Sequence, residues 1–467
     1  MELHELSVRD LASQIAEGSI SARETTDYFL RRIELHNPSL GAVVALDQDL
    51  SMGIATKIDN RRTDGEFMGP LAGVPFVIKD LEDCAGFRTT KGSALFRNAP
   101  PATTDSLLVE RLRNAGAIPI GKSNTPEFGW KGTTENLIFA PARNPYDTRR
   151  TAGGSSGGTA SAVSAGLVPF GTASDGGGSI RIPAAACGIA GLKPSTGRVP
   201  IRGSRAPSWW EFATHGPMAR SVSDTALLYD ICKGPHIDDL RSLPKDASDW
   251  SVEILARGET PRIGVSFDLG FGTTDSEIRG GIAKAADALS DAGFAVVDLP
   301  PLLDEAPAKL WVKIVAAYHA RTLGYLVGSE DFGLLDPGLA ETIEHGMNLL
   351  ARDFIGALDK MWAISAEFFA RVQGVDMVLC PTTAGLPPII GELGEVNGIP
   401  VVDWISYTAL ANMTRTPAAT ICVGMAGIGV PISAQIMGMR FSEIGVLRVA
   451  AFLESHFGLA SPEIFAS

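Results

Sequence analysis

Cysteine is scarce in this 467-residue chain. There are five (Cys84, Cys187, Cys232, Cys380 and Cys422), odd in number, scattered, and never in C-x-x-C spacing. That excludes a disulfide framework or the usual zinc clusters as organising features, and points to reduced, buried thiols of a cytosolic protein. Long apolar runs are also missing: none reaches the roughly 18–20 residues of a membrane span. The N-terminus, Met1-Glu2-Leu3-His4-Glu5-Leu6, lacks the basic and apolar regions of a signal peptide. No membrane association and a cytoplasmic location are therefore expected. Basic residues are outnumbered, 40 against 53 acidic, for a net charge of −13. This argues against nucleic acid as a partner, which would need a clustered basic face. No repeat or low-complexity tail is present. The remainder, 45% hydrophobic and 20% charged, is the composition of a soluble globular protein. Its length allows two to three domains or one large unit.

What the chain has in plenty is glycine, 51 residues, and its distribution is uneven. Thr151–Pro183 holds two Gly/Ser clusters, Gly153-Gly154-Ser155-Ser156-Gly157-Gly158 and Gly176-Gly177-Gly178-Ser179, separated by small and apolar residues. Glycine backbones approach other groups closely and adopt conformations that side chains forbid. The second cluster can aim successive N–H groups at one point beside a hydroxyl, the geometry of an oxyanion hole with its nucleophile attached. A flexible linker would lack the flanking apolar runs. Upstream, Val74-Pro75-Phe76-Val77-Ile78-Lys79-Asp80 reads as a short buried strand. Alternation sends Lys79 to one face and Ile78 and Asp80 to the other. A desolvated lysine there is a base; an isolated one ordinarily reaches solvent.

Lys79, the G-G-S-S-G-G cluster and the D-G-G-G-S-I-R-I-P segment together resemble the amidase signature family. Ser155 lies 76 residues after Lys79 and 24 before Ser179. Further matches are G-K-S-N-T-P-E-F at 121–128, A-R-N-P at 142–145, G-L-K-P at 191–194 and G-P-M-A-R at 216–220. Residues 66–232 carry nearly all of them. Gly176 departs from the pattern, where members often carry threonine or another side chain. Little effect is expected, because the backbone N–H is the working group.

The resemblance implies an α/β/α sandwich with a large mixed, mostly parallel central sheet flanked by helices. Residues 1–65 are expected as N-terminal helices packing on the core, and 66–467 as the signature domain. The motif core falls at 66–232, with a helical insertion and cap at about 305–410, all in one compact unit. It implies acyl transfer without a metal or cofactor. Ser179 is the nucleophile, Ser155 relays the proton, Lys79 is the base, and the N–H groups of Gly176, Gly177, Gly178 and Ser179 hold the oxyanion. The Gly154–Ser155 peptide is expected to be cis. Ser156, Asp175 and Arg181 are supporting residues. Gly129, Trp130, Gly154, Trp209 and Trp210 are expected to bind substrate, with the loop 204–210 and the segment 381–410 at the entrance. The aromatics suggest an apolar or aryl substrate: an anilide, aryl ester, fatty amide or carbamate. Small-molecule substrate and water are the implied partners, and a homodimer is compatible. The A component of a tRNA-dependent amidotransferase (a glutaminase that works with a partner chain) and a urethanase are alternatives. A binding protein with a degenerate site is disfavoured because both serines and the lysine are present.

From 70 to 235 the pattern predicts alternating strands and helices, hence a parallel or mixed sheet with helices on both faces. Further on it predicts strands near 262–265, 295–298, 375–379 and 419–423. A helical region is expected over 305–373, broken near Asp336-Pro337-Gly338, and a closing helix over 441–457. Two short motifs mislead. Gly153–Gly157 satisfies the G-x-S-x-G nucleophile elbow, but no buried strand precedes it, and His319, His345 and His456 sit in helical patterns. Gly116–Ser123 satisfies G-x-x-x-x-G-K-S, but the strand lies inside the motif rather than before it. ATP binding is not expected.

Overall fold

A computed structural model describes residues 2–466, apart from Met68, residues 204–208, Arg257 and Glu259, and only the backbone of Trp210. Among the described residues, strands β1 (Val43–Leu46), β2 (Pro75–Lys79), β3 (Ile118–Ser123), β4 (Phe170–Asp175), β5 (Gly191–Lys193) and β6 (Thr214–Ala219) come first. There follow β7 (Arg262–Val265), β8 (Ala295–Asp298), β9 (Met377–Pro381), the hairpin β10 (Gly394–Val396) and β11 (Ile399–Val401), then β12 (Ala418–Met425) and β13 (Pro431–Gly438). One sheet has the order β1-β3-β2-β4-β6, the other β5-β12-β13-β9-β7-β8. A bridge between Ala190 and Ala219 joins them edge to edge.

The sheet is mixed and helix-flanked, as expected, but its parallel pairings do not dominate. They are confined to β3-β2-β4 and β8-β7-β9, while β1, β6, β5, β12 and β13 pair antiparallel. The antiparallel β12–β13 ladder supplies the middle of the second sheet. β12 and β13 are connected by the short turn Ala426–Val430, and a turn of that length can only reverse the chain.

At the N-terminus, Ser7 and Ser21 accept hydrogen bonds from the N–H groups of Asp10 and Glu24, and Gly18 closes the first helix with φ 81°. The second helix, Ala22–Leu40, runs through Pro38 instead of stopping before it. The proline sits in the last turn, where it deprives only the exposed Glu34 carbonyl of a partner. Residues 1–65 are also not purely helical, since Val43–Leu46 forms the edge strand β1.

The strands β2 and β4 run parallel, so their C-terminal ends share one edge of the sheet. Ligands of open α/β sheets bind outside such ends. Here β2 ends on Lys79 and β4 ends on Asp175, immediately before the glycine run. Helices Ala308–Leu323, Pro337–Met347 and Ala351–Arg371 stand over this edge with small cores of their own around Ile314, Met361, Leu339 and Ile343.

Candidate active site

Lys79 has no exposed surface, and its ammonium nitrogen lies within hydrogen-bond reach of three hydroxyls. Nζ is 2.8 Å from Ser155 Oγ, 2.9 Å from Ser156 Oγ and 3.0 Å from Ser174 Oγ. Burial drives its pKa down against the opposing charges of Glu82 and Asp175, to about 7. At that value a large fraction of the lysine is a neutral amine at neutral pH. A neutral amine has two N–H donors and one lone pair, so one of the three hydroxyls must donate to it. Ser156 has its own carbonyl acceptor, Ser174 O, at 3.4 Å, which leaves Ser155 and Ser174 as the hydroxyls free to donate, and Ser155 is the nearer at 2.8 Å. Asp80, on the opposite face of β2, accepts from Thr90 and pairs with Lys122 at 3.5 Å, as strand alternation requires.

Ser155 and Ser156 precede the helix Gly157–Ser164, and the Gly154–Ser155 peptide is cis. That helix packs close to the chain: a Cβ on Gly158 would lie 2.2 Å from Asn124 N.

The glycine run is held by its carbonyls. Trp311 Nε1 donates to Gly176 O at 2.9 Å, Thr408 Oγ1 to Gly177 O at 2.5 Å, and Ile182 N–H to Gly178 O at 2.7 Å. The N–H groups of Gly176, Gly177 and Ser179 have no acceptor among the described residues. Gly178 departs from expectation. Its N–H donates to Asp175 Oδ1 at 2.7 Å, so it anchors the loop and is not available to an oxyanion. Gly178 has φ 133°, and a Cβ there would lie 2.2 Å from Thr408 Oγ1. Glycine is required.

Asp175 and Arg181, both fully buried, form the anchor itself. Arg181 Nε and Nη2 each donate to the carboxylate at 3.0 Å. Its remaining N–H groups reach Thr408 O, Gln435 Oε1 and Asn412 Oδ1, so all five donors are used. Burial opposes the charge of Asp175, but Arg181 outweighs it and holds the carboxyl below its ordinary range.

A cavity of about 320 Å³ opens over this loop, lined by Ser155, Ser174, Gly176, Ser179, Gly129 and Trp209 among others. Lys79, Ser155 and Ser179 thus converge on one place, although among the described residues no hydrogen bond joins Ser155 to Ser179. Trp209 covers Gly176: a Cβ on that glycine would lie 3.0 Å from the indole. The missing side chain at 176 is therefore replaced by Trp209. Gly129, with φ 74°, would place a Cβ 3.1 Å from Ser155 Oγ. Gly154 and Gly177 do not line the cavity. Neither does Trp130, which packs with Leu335 and Leu339 under the cap, beneath the Lys131 ammonium. The indole of Trp210 and residues 204–208 lie outside the described residues. The segment 381–410 contributes no lining residue; its Thr408 braces the glycine loop from behind.

Four contributors were not anticipated. His215 pairs with Glu82, and both line the cavity. Burial works against the Glu82 charge, yet His215, Ser106 and Lys122 bring its carboxyl down to about 2. Trp311 and His319 come from the helix Ala308–Leu323. An apolar helical pattern gives no sign of which residue faces a site some 130 positions away in sequence. The P-loop lookalike dissolves: Lys122 is buried within β3, donating to Glu82 O and Thr89 Oγ1. The G-x-S-x-G lookalike has no strand directly before it, and no histidine is hydrogen-bonded to either serine among the described residues.

Residues 24–447 match the protein-family model described as Amidase. An acylamidase of Rhodococcus erythropolis is 33% identical, covering 97% of this chain and 96% of that protein. The A component of the glutamyl-tRNA(Gln) amidotransferase of Carboxydothermus hydrogenoformans is also 33% identical, covering 99% and 100%. The crystal structure of a bacterial aryl acylamidase of the amidase signature enzymes superposes with a TM-score of 0.91 at 28% identity, covering 97% of both chains.

Proposed function

The chain belongs to the amidase family and is an amide-cleaving hydrolase, and on that premise we propose that it is a free-standing amidohydrolase of small aryl or apolar amides. Esters and carbamates are accepted by the same chemistry. The observation that carries this reading is the buried Lys79 Nζ, 2.8 Å from Ser155 Oγ. Ser179 and Gly176 line the same cavity, and the N–H groups of Gly176, Gly177 and Ser179 in that loop have no acceptor among the described residues.

The geometry supports the following roles. Ser179 Oγ attacks the substrate carbonyl carbon while its proton passes to Ser155 Oγ, and the Ser155 proton passes to neutral Lys79. The carbonyl oxygen becomes an oxyanion, met by the N–H groups of Gly176, Gly177 and Ser179. The C–N bond breaks as the amine takes a proton back along the same relay, leaving an acyl ester on Ser179. Water attacks the ester with Lys79 again as base, releasing the acid and restoring the serine. Trp209, Phe128 and Leu81 give the cavity an apolar wall, which favours aryl or alkyl groups.

The similarity to the A components of amidotransferases supports a second reading, a glutaminase working with a partner chain. Hydrolysis of a p-nitroanilide series with matched ester and carbamate, beside a glutaminase assay, separates the two. The first reading expects anilide turnover by the isolated chain, abolished in Ser179→Ala and reduced by roughly a thousandfold or more in Ser155→Ala and Lys79→Ala. Full activity in Ser179→Ala overturns the mechanism. Glutaminase activity without anilide turnover transfers the assignment to the second reading.

A further inference from the structure

The helix Ala308–Leu323 turns two polar side chains, His319 and Thr322, toward the cavity. They are three residues apart and so share a helix face. His319 is 4% exposed, and neither of its ring nitrogens has a hydrogen-bond partner. Thr322 is half-buried, and its Oγ1 is buried and likewise unpartnered. Both residues line the cavity that holds Ser155 and Ser179. The imidazole stands edge-on to Trp209, ring centroids 5.0 Å apart, and Trp209 in turn lies against Gly176. Buried polar groups in folded proteins are ordinarily satisfied, and leaving one unpaired is costly. Two on one wall of a binding cavity call for a ligand.

The charge around them decides which ligand. Of the cations lining the cavity, Arg202 donates twice to Glu110, and Lys91 has its ammonium over the Phe96 ring, 4.8 Å from the centroid. Glu82 faces His215. Burial alone takes His319 down to about 4, so at neutral pH it is an uncharged imidazole with one donor and one acceptor. A carboxylate on the substrate would find no cation at this wall, and an ammonium no anion. A group that offers a donor and an acceptor side by side, and carries no charge, is the complement.

We infer that His319 and Thr322 form a specificity site for a neutral carboxamide group on the substrate, separate from the bond that is cleaved. This rests on the cavity being the substrate site, as proposed above. The helix would then do two jobs: Trp311 braces the oxyanion loop, and about two to three turns later the same helix reads the substrate.

The test measures binding, independently of turnover. Ser179→Ala protein is titrated calorimetrically with two near-isosteric pairs. One pair is the p-nitroanilides of succinamic acid and of 4-methylpentanoic acid. The other is the N-acetyl derivatives of 4-aminobenzamide and 4-isopropylaniline. In at least one pair the carboxamide member should bind about tenfold or more tightly than its isopropyl twin, the discrimination expected of a site with buried polar groups. His319→Phe and Thr322→Val, each in the Ser179→Ala background, should bring that ratio to within about threefold while the isopropyl member still binds. Equal binding in both pairs, tighter binding of the isopropyl members, no binding of any of the four, or a ratio unmoved by the substitutions overturns the inference. Melting temperatures are recorded alongside; if His319→Phe does not fold, Thr322→Val carries the test. Wild-type turnover of p-nitroacetanilide is measured separately. Selective carboxamide binding without any turnover would sink the catalytic reading and leave this one standing.

Discussion

Lys79 sets the pH behaviour at the scale of single residues. Its pKa of about 7 makes the neutral base available only as pH rises, so kcat/KM should climb through about 7 and level off above it. A pH–rate profile with no inflection between 6 and 8 would contradict the assignment. The same shift has a signed consequence for stability. The unfolded lysine titrates near 10.5 and the folded one near 7, so between these values the unfolded state holds more protons and wild-type stability rises with pH. Below about 7 both states are protonated, and the cost of the buried ammonium is fully present. Lys79→Met should therefore be more stable than wild type by on the order of a few kcal/mol at pH 6. That advantage should shrink as pH rises toward 10.5; denaturant melts of both proteins across this range check it. The sequence singled out Ser155 and Ser179 by the glycines around them and Lys79 by the apolar strand it ends. The structure brings Lys79 and Ser155 to 2.8 Å, with Ser179 lining the same cavity. His319 was not singled out as a site residue. Its significance is the lack of a partner, and that appears only when the cap helices are packed over the cavity.

The element that organises the site is the loop Gly176–Ser179, and it is stiff because its neighbours own its carbonyls. Trp311→Phe keeps the ring but removes the donor to Gly176 O. Activity should fall about tenfold, consistent with loss of one hydrogen bond that orients the N–H groups, while the melting temperature stays within a few degrees. An unchanged kcat would mean that the loop holds its shape without this brace. Arg181→Lys cannot reproduce five donors in a planar fork. It should destabilise the fold by roughly 3–5 kcal/mol, because Asp175 would be left with a poorly matched buried partner; chemical denaturation measures this. The expected strands at β2, β3, β4, β7, β8, β9 and β12 appear, as does the closing helix, here Glu443–Phe457. β13, Pro431–Gly438, escaped notice although Ile432-Ser433-Ala434-Gln435-Ile436 alternates; it is buried on both faces, with Ser433 and Gln435 hydrogen-bonded to Ala185 O and Cys380 Sγ. β1 and β5 are short, with four and three residues. Pairing partners far away in the chain make them strands.

For the molecule as a whole, the main hydrophobic core draws on both ends of the chain. Leu11, Ile15, Phe29 and Ile33 from the N-terminal helices pack in the same cluster as Val446, Leu447 and Leu453 from the helix Glu443–Phe457. Arg32, largely buried, donates to the carbonyls of Ala165 and Gly166. We propose that the chain folds as one unit rather than as a catalytic body with a detachable N-terminal cover. Deleting residues 1–40 should give insoluble or molten protein without activity; a soluble, active product would show the opposite. The departure from a mostly parallel sheet belongs to this scale as well. Motif spacing reports the segments around the site, and the antiparallel half of the sheet, β5-β12-β13, lies outside most of them.

In the proposed mechanism the acyl group rests on Ser179. The most direct measurement is intact-mass spectrometry and peptide mapping after reaction with an aryl carbamate that deacylates slowly. A single adduct is expected on the peptide containing Ser179, absent in Ser179→Ala and formed far more slowly in Lys79→Ala. An adduct on Ser155, or one that persists undiminished in Ser179→Ala, would contradict it.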